Sequence, residues 1–237
     1  MAKAELRQDP EAVRGMFASI AGRYDFANRL LSGGLDSMWR ASVAARAAGF
    51  SPRRVLDMAT GSGDLMLALK KACPGARVVG ADFCLPMLER ARAKRLGDLV
   101  QADALALPFR DGFFDVVTVA FGLRNMADWK EAVIEMSRVL RPGGALLVLD
   151  FSMPGFRPLR QLYRAYLHGI LPHLANAATG RRGAYEYLGA SIEKFPSGMA
   201  MNAFLRSCGL VCQAPREFCF GVASLYCGVK PEEPVVV

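Results

Sequence analysis

The sequence predicts an α/β fold built on a doubly wound, mostly parallel sheet, and three observations carry that prediction. Between residues 54 and 151, short β-branched runs alternate with longer amphipathic ones, the pattern of repeated βαβ units. The apolar run Val55-Leu56-Asp57-Met58 leads through a Gly61-Ser62-Gly63 turn into a helical pattern that opens at about Leu65. Aspartates recur at successive strand ends, at Asp57, Asp82 and Asp103.

The elements follow in order. Over residues 13–50 the apolar groups Met16, Phe17, Ile20, Tyr24, Leu30, Leu31, Leu35, Met38 and Trp39 keep a roughly helical spacing, broken at Ser32-Gly33-Gly34. Two or three helices are therefore expected before the first strand. Strands are expected at 54–58, 77–81, 99–102, 114–120 and 145–151. A helix over 129–140 has Asp128 as its N-cap and Arg141-Pro142-Gly143-Gly144 as its stop. Residues 153–198 break the alternation, being proline-bounded and rich in Arg, Tyr and Leu, and read as an insertion or lid with a helix near 159–171. A helix at 199–207 and two strands at 210–214 and 224–230, close enough for a hairpin, complete the chain.

At 237 residues and 52% hydrophobic composition the chain can bury one sizeable core, and two full domains would be cramped. The expectation is a single domain: a helical cap at 1–50, a core at 51–152, the lid at 153–198, and a C-terminal helix and hairpin at 199–237. The net charge of +8 permits nucleic acid or anionic lipid as a partner, but no aromatic-basic interleaving favours nucleic acid. Six cysteines form no Cys-x-x-Cys pair, and with only His168 and His173 beside them no metal site is expected. The charged, proline-containing N-terminus lacks the apolar core of a secretion signal, and no apolar run approaches the ~20 residues that span a bilayer. A cytoplasmic protein with reduced thiols is the expectation.

The glycine turn is the candidate ligand site. Gly61 and Gly63 let a ligand approach the backbone at the carboxyl edge of the sheet. A dinucleotide fingerprint would require a third glycine where Met66 stands, and Asp64 would set a negative charge near any pyrophosphate. S-adenosylmethionine, which has no phosphate and carries an ammonium and a sulfonium, suits acidic neighbours better. Asp82, 21 residues after Gly61, is placed to accept both ribose hydroxyls. Asp103 could meet the adenine amino group while Phe83 and Ala104 pack on the ring. A lone aspartate at such a position is more often only a helix cap or a surface acid.

Longer motifs resemble a known family. They include Met16-Phe17-x-x-Ile20-Ala21-x-x-Tyr24-Asp25-x-x-Asn28, Leu31-Ser32, Trp39-Arg40, the Gly-x-Gly segment, Leu107-Pro108-Phe109 and Phe121-Gly122-Leu123-Arg124-Asn125. Arg138-Val139-Leu140-Arg141-Pro142-Gly143-Gly144 and Tyr185-x-Tyr187-Leu188-x-x-Ser191-Ile192-x-x-Phe195-Pro196 continue the likeness. Together they resemble the quinone-biosynthesis C-methyltransferases, the demethylmenaquinone methyltransferases and their ubiquinone-pathway relatives. The resemblance implies a class I, Rossmann-like methyltransferase fold with a seven-stranded sheet. It implies S-adenosylmethionine contacts at Ser62, Asp82, Asp103, Ala104 and Ala120, beside Asp57, Gly61, Gly63 and Phe83. Two positions depart from it: Ala120 stands where serine is frequent, and Asp36 where histidine is common.

What the resemblance further implies is methylation of a ring carbon of a reduced polyprenylated quinone, demethylmenaquinol before a benzoquinol, without a metal. Arg124 and Asn125 are expected to hydrogen-bond ring oxygens, Arg124 stabilising a phenolate because a guanidinium is a poor base. Tyr24 and Asp25 could approach from the N-terminal helices, and Asp64 or Asp25 could take the proton. The alternative for Arg124 is a salt bridge clamping the N-terminal helices to the sheet. His168 and His173 are expected to be packed rather than catalytic.

The prenylated substrate implies peripheral contact with the inner face of a membrane. Phe156, Leu159, Leu162, Tyr163, Tyr166, Leu167, Ile170 and Leu171, with Arg157, Arg160 and Arg164 beside them, are compatible with an interfacial amphipathic helix. A core-facing helix with a basic outer face fits that periodicity equally well. A homodimer is compatible with the sequence. Another small-molecule or lipid methyltransferase, or a fold that has lost catalysis and binds RNA, are the competing readings.

Overall fold

A computed structural model describes residues 32–171 and 183–232, together with Gly15. The expected helices before residue 32, with Tyr24 and Asp25, lie outside the described residues, as does His173.

The first described helix, α1 (Asp36–Ala48), starts directly after the turn at residues 32–35. It is followed by β1 (Arg54–Met58), α2 (Asp64–Ala72), β2 (Arg77–Asp82), α3 (Leu85–Ala93), β3 (Leu99–Gln101) and β4 (Phe114–Ala120). A single 3₁₀ turn (Leu123–Asn125) then precedes α4 (Trp129–Val139) and β5 (Leu140–Phe151). The insertion forms α5 (Arg157–Ala165), a π turn (Tyr166–Ile170) and α6 (Gly183–Lys194). Last come α7 (Met199–Ser207), β6 (Val211–Cys212), β7 (Arg216–Phe218) and β8 (Ala223–Val229).

The strand order is β3-β2-β1-β4-β5-β8-β6, with β7 also on the free edge of β8. β1 to β5 are parallel, and β8 runs antiparallel to β5. Because β6 and β7 are two pieces pairing the same side of β8, the sheet has seven positions, as expected. The unexpected break between them falls at Ala214-Pro215, where proline cannot donate to the ladder.

Alternate residues of the central strands serve opposite faces, so both faces are buried. Leu56, Val117, Leu146 and Val148 join Val133 and Met136 of α4 and Leu205 of α7 on one side. Val55, Val116, Leu147 and Leu149 join Trp39 and Val43 of α1 and Leu65 and Leu69 of α2 on the other. Met66, at the position where a dinucleotide fold would have its third glycine, is fully buried and its Sδ lies 3.0 Å from where a Cβ at Gly80 would sit. The side chain fills the space between helix and sheet that a glycine would leave open.

Several boundaries differ from expectation. β2 runs one residue further, so Asp82 is its last residue rather than the first beyond it, and β3 ends one residue sooner. β5 begins at Leu140, not 145: Leu140 pairs with Phe114, the register shifts, and Ala145 then pairs with Val116. The Arg141-Pro142-Gly143-Gly144 stretch ends α4 but stays extended, with Gly143 N–H donating to the Lys230 carbonyl and Lys230 N–H to that of Gly144, both at 2.8 Å. The insertion helix starts at Arg157, helped by Pro158 in its first turn, and becomes a π turn at Tyr166. The Asp128 cap is as expected, its Oδ1 accepting from Lys130 N–H and Glu131 N–H at 3.1 Å each.

Candidate active site

Ligands of open α/β sheets bind outside the carboxyl ends of the strands where the strand order reverses, which here is between β1 and β4. A cavity with about 790 Å³ of unfilled space, partly open to solvent, lies there. The ends of β1, β2 and β4 supply most of its wall.

Past β1, Ala59 takes a left-handed φ of 52° and the chain turns through Gly61 and Gly63 into α2. Gly63 has φ 85°, and a Cβ there would meet Leu96 Cδ1 at 2.2 Å, so both backbone and packing demand glycine. Asp82 holds this turn to the next one. Its Oδ2 accepts Gly61 N–H at 2.8 Å and its Oδ1 accepts Cys84 N–H at 2.9 Å. Burial pushes the Asp82 carboxyl above its ordinary range, opposed by these backbone donors.

Asp57 lies on β1, fully buried, with Thr118 Oγ1 donating to Oδ1 at 2.8 Å and Thr60 Oγ1 to Oδ2 at 2.7 Å. Its pKa is pushed up to about 6, mainly by burial and also by the nearby Asp82 charge, while the two hydroxyls and Arg40 oppose the shift. Arg40 is held by Asp36 at 3.0 Å, and Ser32 Oγ donates to the other Asp36 oxygen at 3.0 Å. Asp36 thus begins α1 with a buried network that delivers a guanidinium toward Asp57 and over the Phe121 ring, 5.4 Å from its centroid. Trp39 lies 6.0 Å from the same ring. The Trp39-Arg40 motif therefore supports the loop past β4.

That loop is Phe121 to Asn125. Phe121 has φ 59° and donates its N–H to the Leu149 carbonyl at 2.8 Å. A Cβ on Gly122 would sit 2.5 Å from Ala59 Cβ, so the β1 and β4 loops touch at this glycine. Arg124 Nη1 donates to Asp150 Oδ1 at 2.5 Å and to the Phe121 carbonyl at 2.8 Å. Asn125 Nδ2 donates to that same carbonyl at 3.2 Å. Its Oδ1 is buried without a hydrogen-bond partner among the described residues.

Of the residues singled out in the sequence, Gly61, Asp82, Phe83, Asp103, Ala104, Ala120 and Asn125 line the cavity. Asp57, Ser62, Gly63, Asp64 and Arg124 do not. Asp57 is committed to the two threonines. Asp64 pairs with Lys94 Nζ at 2.6 Å. Arg124 Nη1 pairs with Asp150, and among the described residues this ion pair ties the β4 loop to β5. His168 pairs with Glu193 at 3.1 Å, away from the cavity. Met58, Ala59, Cys84, Met87, Phe121, Gly122, Met126 and Ala127 also line it and were not anticipated. All lie at, or within seven residues past, the ends of β1, β2 and β4, which the rule for carboxyl-edge sites would have found.

The lining fits a cation-bearing nucleoside. It contains the carboxylates of Asp82 and Asp103 and, among the described residues, no lysine or arginine to receive a phosphate. Asp103 Oδ1 accepts Leu105 N–H at 3.0 Å, which fixes the carboxylate beyond β3. No group of His, Cys, Asp and Glu among the described residues could hold a metal ion.

Strand order and site define a class I S-adenosylmethionine-dependent methyltransferase. Solved folds agree: an O-methyltransferase family protein from Burkholderia thailandensis superposes with a TM-score of 0.64 at 18% identity, over 95% of this chain and 64% of its own. A SAM-dependent methyltransferase from Aquifex aeolicus gives 0.52 at 17% identity, over 74% of this chain and 81% of its own. The sequence is more specific. Residues 4–230 match the ubiE/COQ5 methyltransferase family, and the chain belongs to it. It is 47% identical to a demethylmenaquinone methyltransferase of Thermus thermophilus, over 91% of this chain and 100% of that one. It is 39% identical to a ubiquinone/menaquinone biosynthesis C-methyltransferase of Geobacter sulfurreducens, over 95% of this chain and 91% of that one.

Proposed function

We propose that this chain methylates a ring carbon of a reduced, polyprenylated quinone, demethylmenaquinol in first place, with S-adenosylmethionine as donor. The observation that carries the reading is the acidic cavity at the β1/β4 switch point, with Asn125 among its lining residues, in a member of the ubiE/COQ5 family. The donor supplies an electrophilic methyl group on sulfur. Everything else is asked of the protein. Asp82 would hold the ribose hydroxyls and Asp103 the adenine amino group, with Phe83 and Ala104 on the ring faces. Ala120 offers no hydroxyl, so a contact there comes from backbone.

Asn125 Oδ1 can accept a proton-bearing ring hydroxyl, which raises electron density on that oxygen and, through the ring, on the carbon that attacks. Arg124 acts in this reading by fixing the Phe121 to Asn125 turn through Asp150, and positioning of this kind carries much of the rate in a group transfer. Asp57 holds the Gly-x-Gly loop through Thr60. Tyr24 and Asp25 belong to the proposal as groups of the N-terminal segment, and Asp64, which pairs with Lys94 outside the cavity lining, as a proton acceptor.

We infer further that the chain works as one domain, with residues 1–50 and 153–198 closing over the core. It acts at the cytoplasmic face of a membrane as a peripheral protein, without nucleic acid, and a homodimer is compatible with this. No helix among the described residues is long and apolar enough to cross a membrane. The Geobacter relative named for both pathways favours a second reading, in which a benzoquinol is also methylated. Calorimetric titration tests the site: S-adenosylmethionine should bind wild type and bind Asp82→Asn at least tenfold more weakly, and equal affinities would remove the assignment of Asp82.

A further inference from the structure

The tip joining β7 to β8 combines two unfavourable features. Phe220 lies in the left-handed region (φ 58°, ψ 31°), flanked by Cys219 at φ 50° and Gly221 at φ 94°. A bulky aromatic in that conformation costs backbone energy. Its ring is 85% exposed, so no contact inside the protein offsets the cost.

The tip is held firmly. Ser152 Oγ donates to the Gly221 carbonyl at 2.7 Å and lies 2.8 Å from Ser224 Oγ, while Ser152 N–H donates to the Val222 carbonyl at 2.9 Å. A Cβ at Gly221 would stand 3.2 Å from Pro154 Cα. Two residues beyond Pro154, Phe156 is 70% exposed at the start of α5, a helix with no buried residue. Arg160 Nε donates to the Pro154 carbonyl at 2.8 Å, so a guanidinium is built into the same corner.

α5, which follows Phe156, carries Arg157, Arg160 and Arg164, and β7, which leads into the Phe220 tip, carries Arg216. The acidic groups nearby are Glu217, beside Gly221, and Glu193, which pairs with Arg164 and His168. The corner is therefore basic as well as aromatic. It also lies on the carboxyl edge of the sheet, since Ala223 pairs with Phe151, the last residue of β5, and the cavity opens past β4 on that edge.

We propose that Phe220 and Phe156 form a fixed wedge that enters the headgroup layer of an anionic bilayer, with Arg157, Arg160 and Arg216 meeting lipid phosphates. Aromatic rings prefer this interfacial depth and basic groups add attraction that salt screens. The wedge gives the peripheral contact a location, and its role in substrate delivery rests on the prenylated-quinol reading. That the corner instead seats a second copy of the chain is an outcome of the test.

The experiment is co-sedimentation of the full chain with vesicles of phosphatidylglycerol and phosphatidylcholine, against phosphatidylcholine alone, at low and high salt. Wild type should bind the anionic vesicles and release with salt. The Phe156→Ser, Phe220→Ser double variant should partition at least tenfold less. Phe220→Gly should also bind less while its Tm holds or rises, because the left-handed residue is relieved, which separates lost binding from lost folding. Wild type failing to bind anionic vesicles, or the double variant binding as wild type does, would overturn the wedge. So would wild-type self-association in the absence of lipid that the double variant abolishes. Methyl transfer to a short-chain, water-soluble quinol is measured alongside: it should be equal in all variants, and its absence in wild type would count against the substrate reading without touching the vesicle result.

Discussion

Arg124 and Asp150 form a buried ion pair of 2.5 Å between the loop past β4 and the end of β5, with the Arg124 backbone N–H also 3.4 Å from Asp150 Oδ2. Asp150 has no exposed surface, and its Oδ1 also accepts Phe151 N–H at 2.8 Å. Burial pushes the Asp150 carboxyl upward and the guanidinium opposes it. Removing the cation would leave a buried acid uncompensated, which typically costs ~3–5 kcal/mol. Arg124→Ala should therefore lose stability of that order in urea unfolding, and Arg124→Lys should retain part of it. A loss under ~1 kcal/mol would show that the pair does not clamp the loop.

Asn125 gives the opposite signature. Its buried Oδ1 has no partner among the described residues, so Asn125→Ala gives up little beyond the Nδ2 bond to the Phe121 carbonyl and leaves one orphan fewer. Turnover should fall on the order of ten- to a hundredfold with donor affinity unchanged. A variant with normal kcat would exclude a role at the ring.

Gly122 and Ala59 make a steric pair. Gly122→Ala brings a Cβ to 2.5 Å from Ala59 Cβ and should cost about 1–3 kcal/mol of stability. Ala59 itself sits at φ 52°, a region glycine adopts freely. Ala59→Gly in the Gly122→Ala background should restore most of the loss, a coupling that independent sites would not show. Additive effects in urea unfolding would mean the two loops do not touch.

Asp57 fixes a pH dependence. Its folded pKa of about 6 lies above the ordinary 3.8, so between those values the folded state holds a proton that the unfolded state has lost. Stability from this group is present below pH ~4 and declines as pH rises through about 6, by up to about 3 kcal/mol. Asp57→Asn, which cannot ionise, should gain on wild type as pH increases from 4 to 7. Parallel stability curves for the two proteins over that range would contradict the shift.

The fold was legible where local signals agree with burial. Strands 54–58 and 114–120 are read to the residue, because both are buried on both faces and bounded by glycine or polar turns. β5 was read short because Arg141-Pro142-Gly143-Gly144 carries the residues of a stop, while the ladder to Lys230 that keeps it extended is a tertiary bond. Asp36 had no sequence explanation, since its partners Ser32 and Arg40 are ordinary helix-start neighbours and its role comes from holding Arg40 over the Phe121 ring. The place of Asp82 in the cavity lining is legible from its spacing after Gly61. For Arg124 the motif position does not reveal the ion pair of its Nη1 with Asp150, 26 residues on, because that contact is tertiary.

The most direct test of the account is methyl transfer from labelled S-adenosylmethionine to reduced demethylmenaquinone and to a demethylated benzoquinol, side by side, with Asn125→Ala as control. The account predicts label on a ring carbon of the naphthoquinol, lost in large part in the variant, with the benzoquinol labelled less or not at all. Label in neither quinol, from a protein that still binds S-adenosylmethionine, would contradict it.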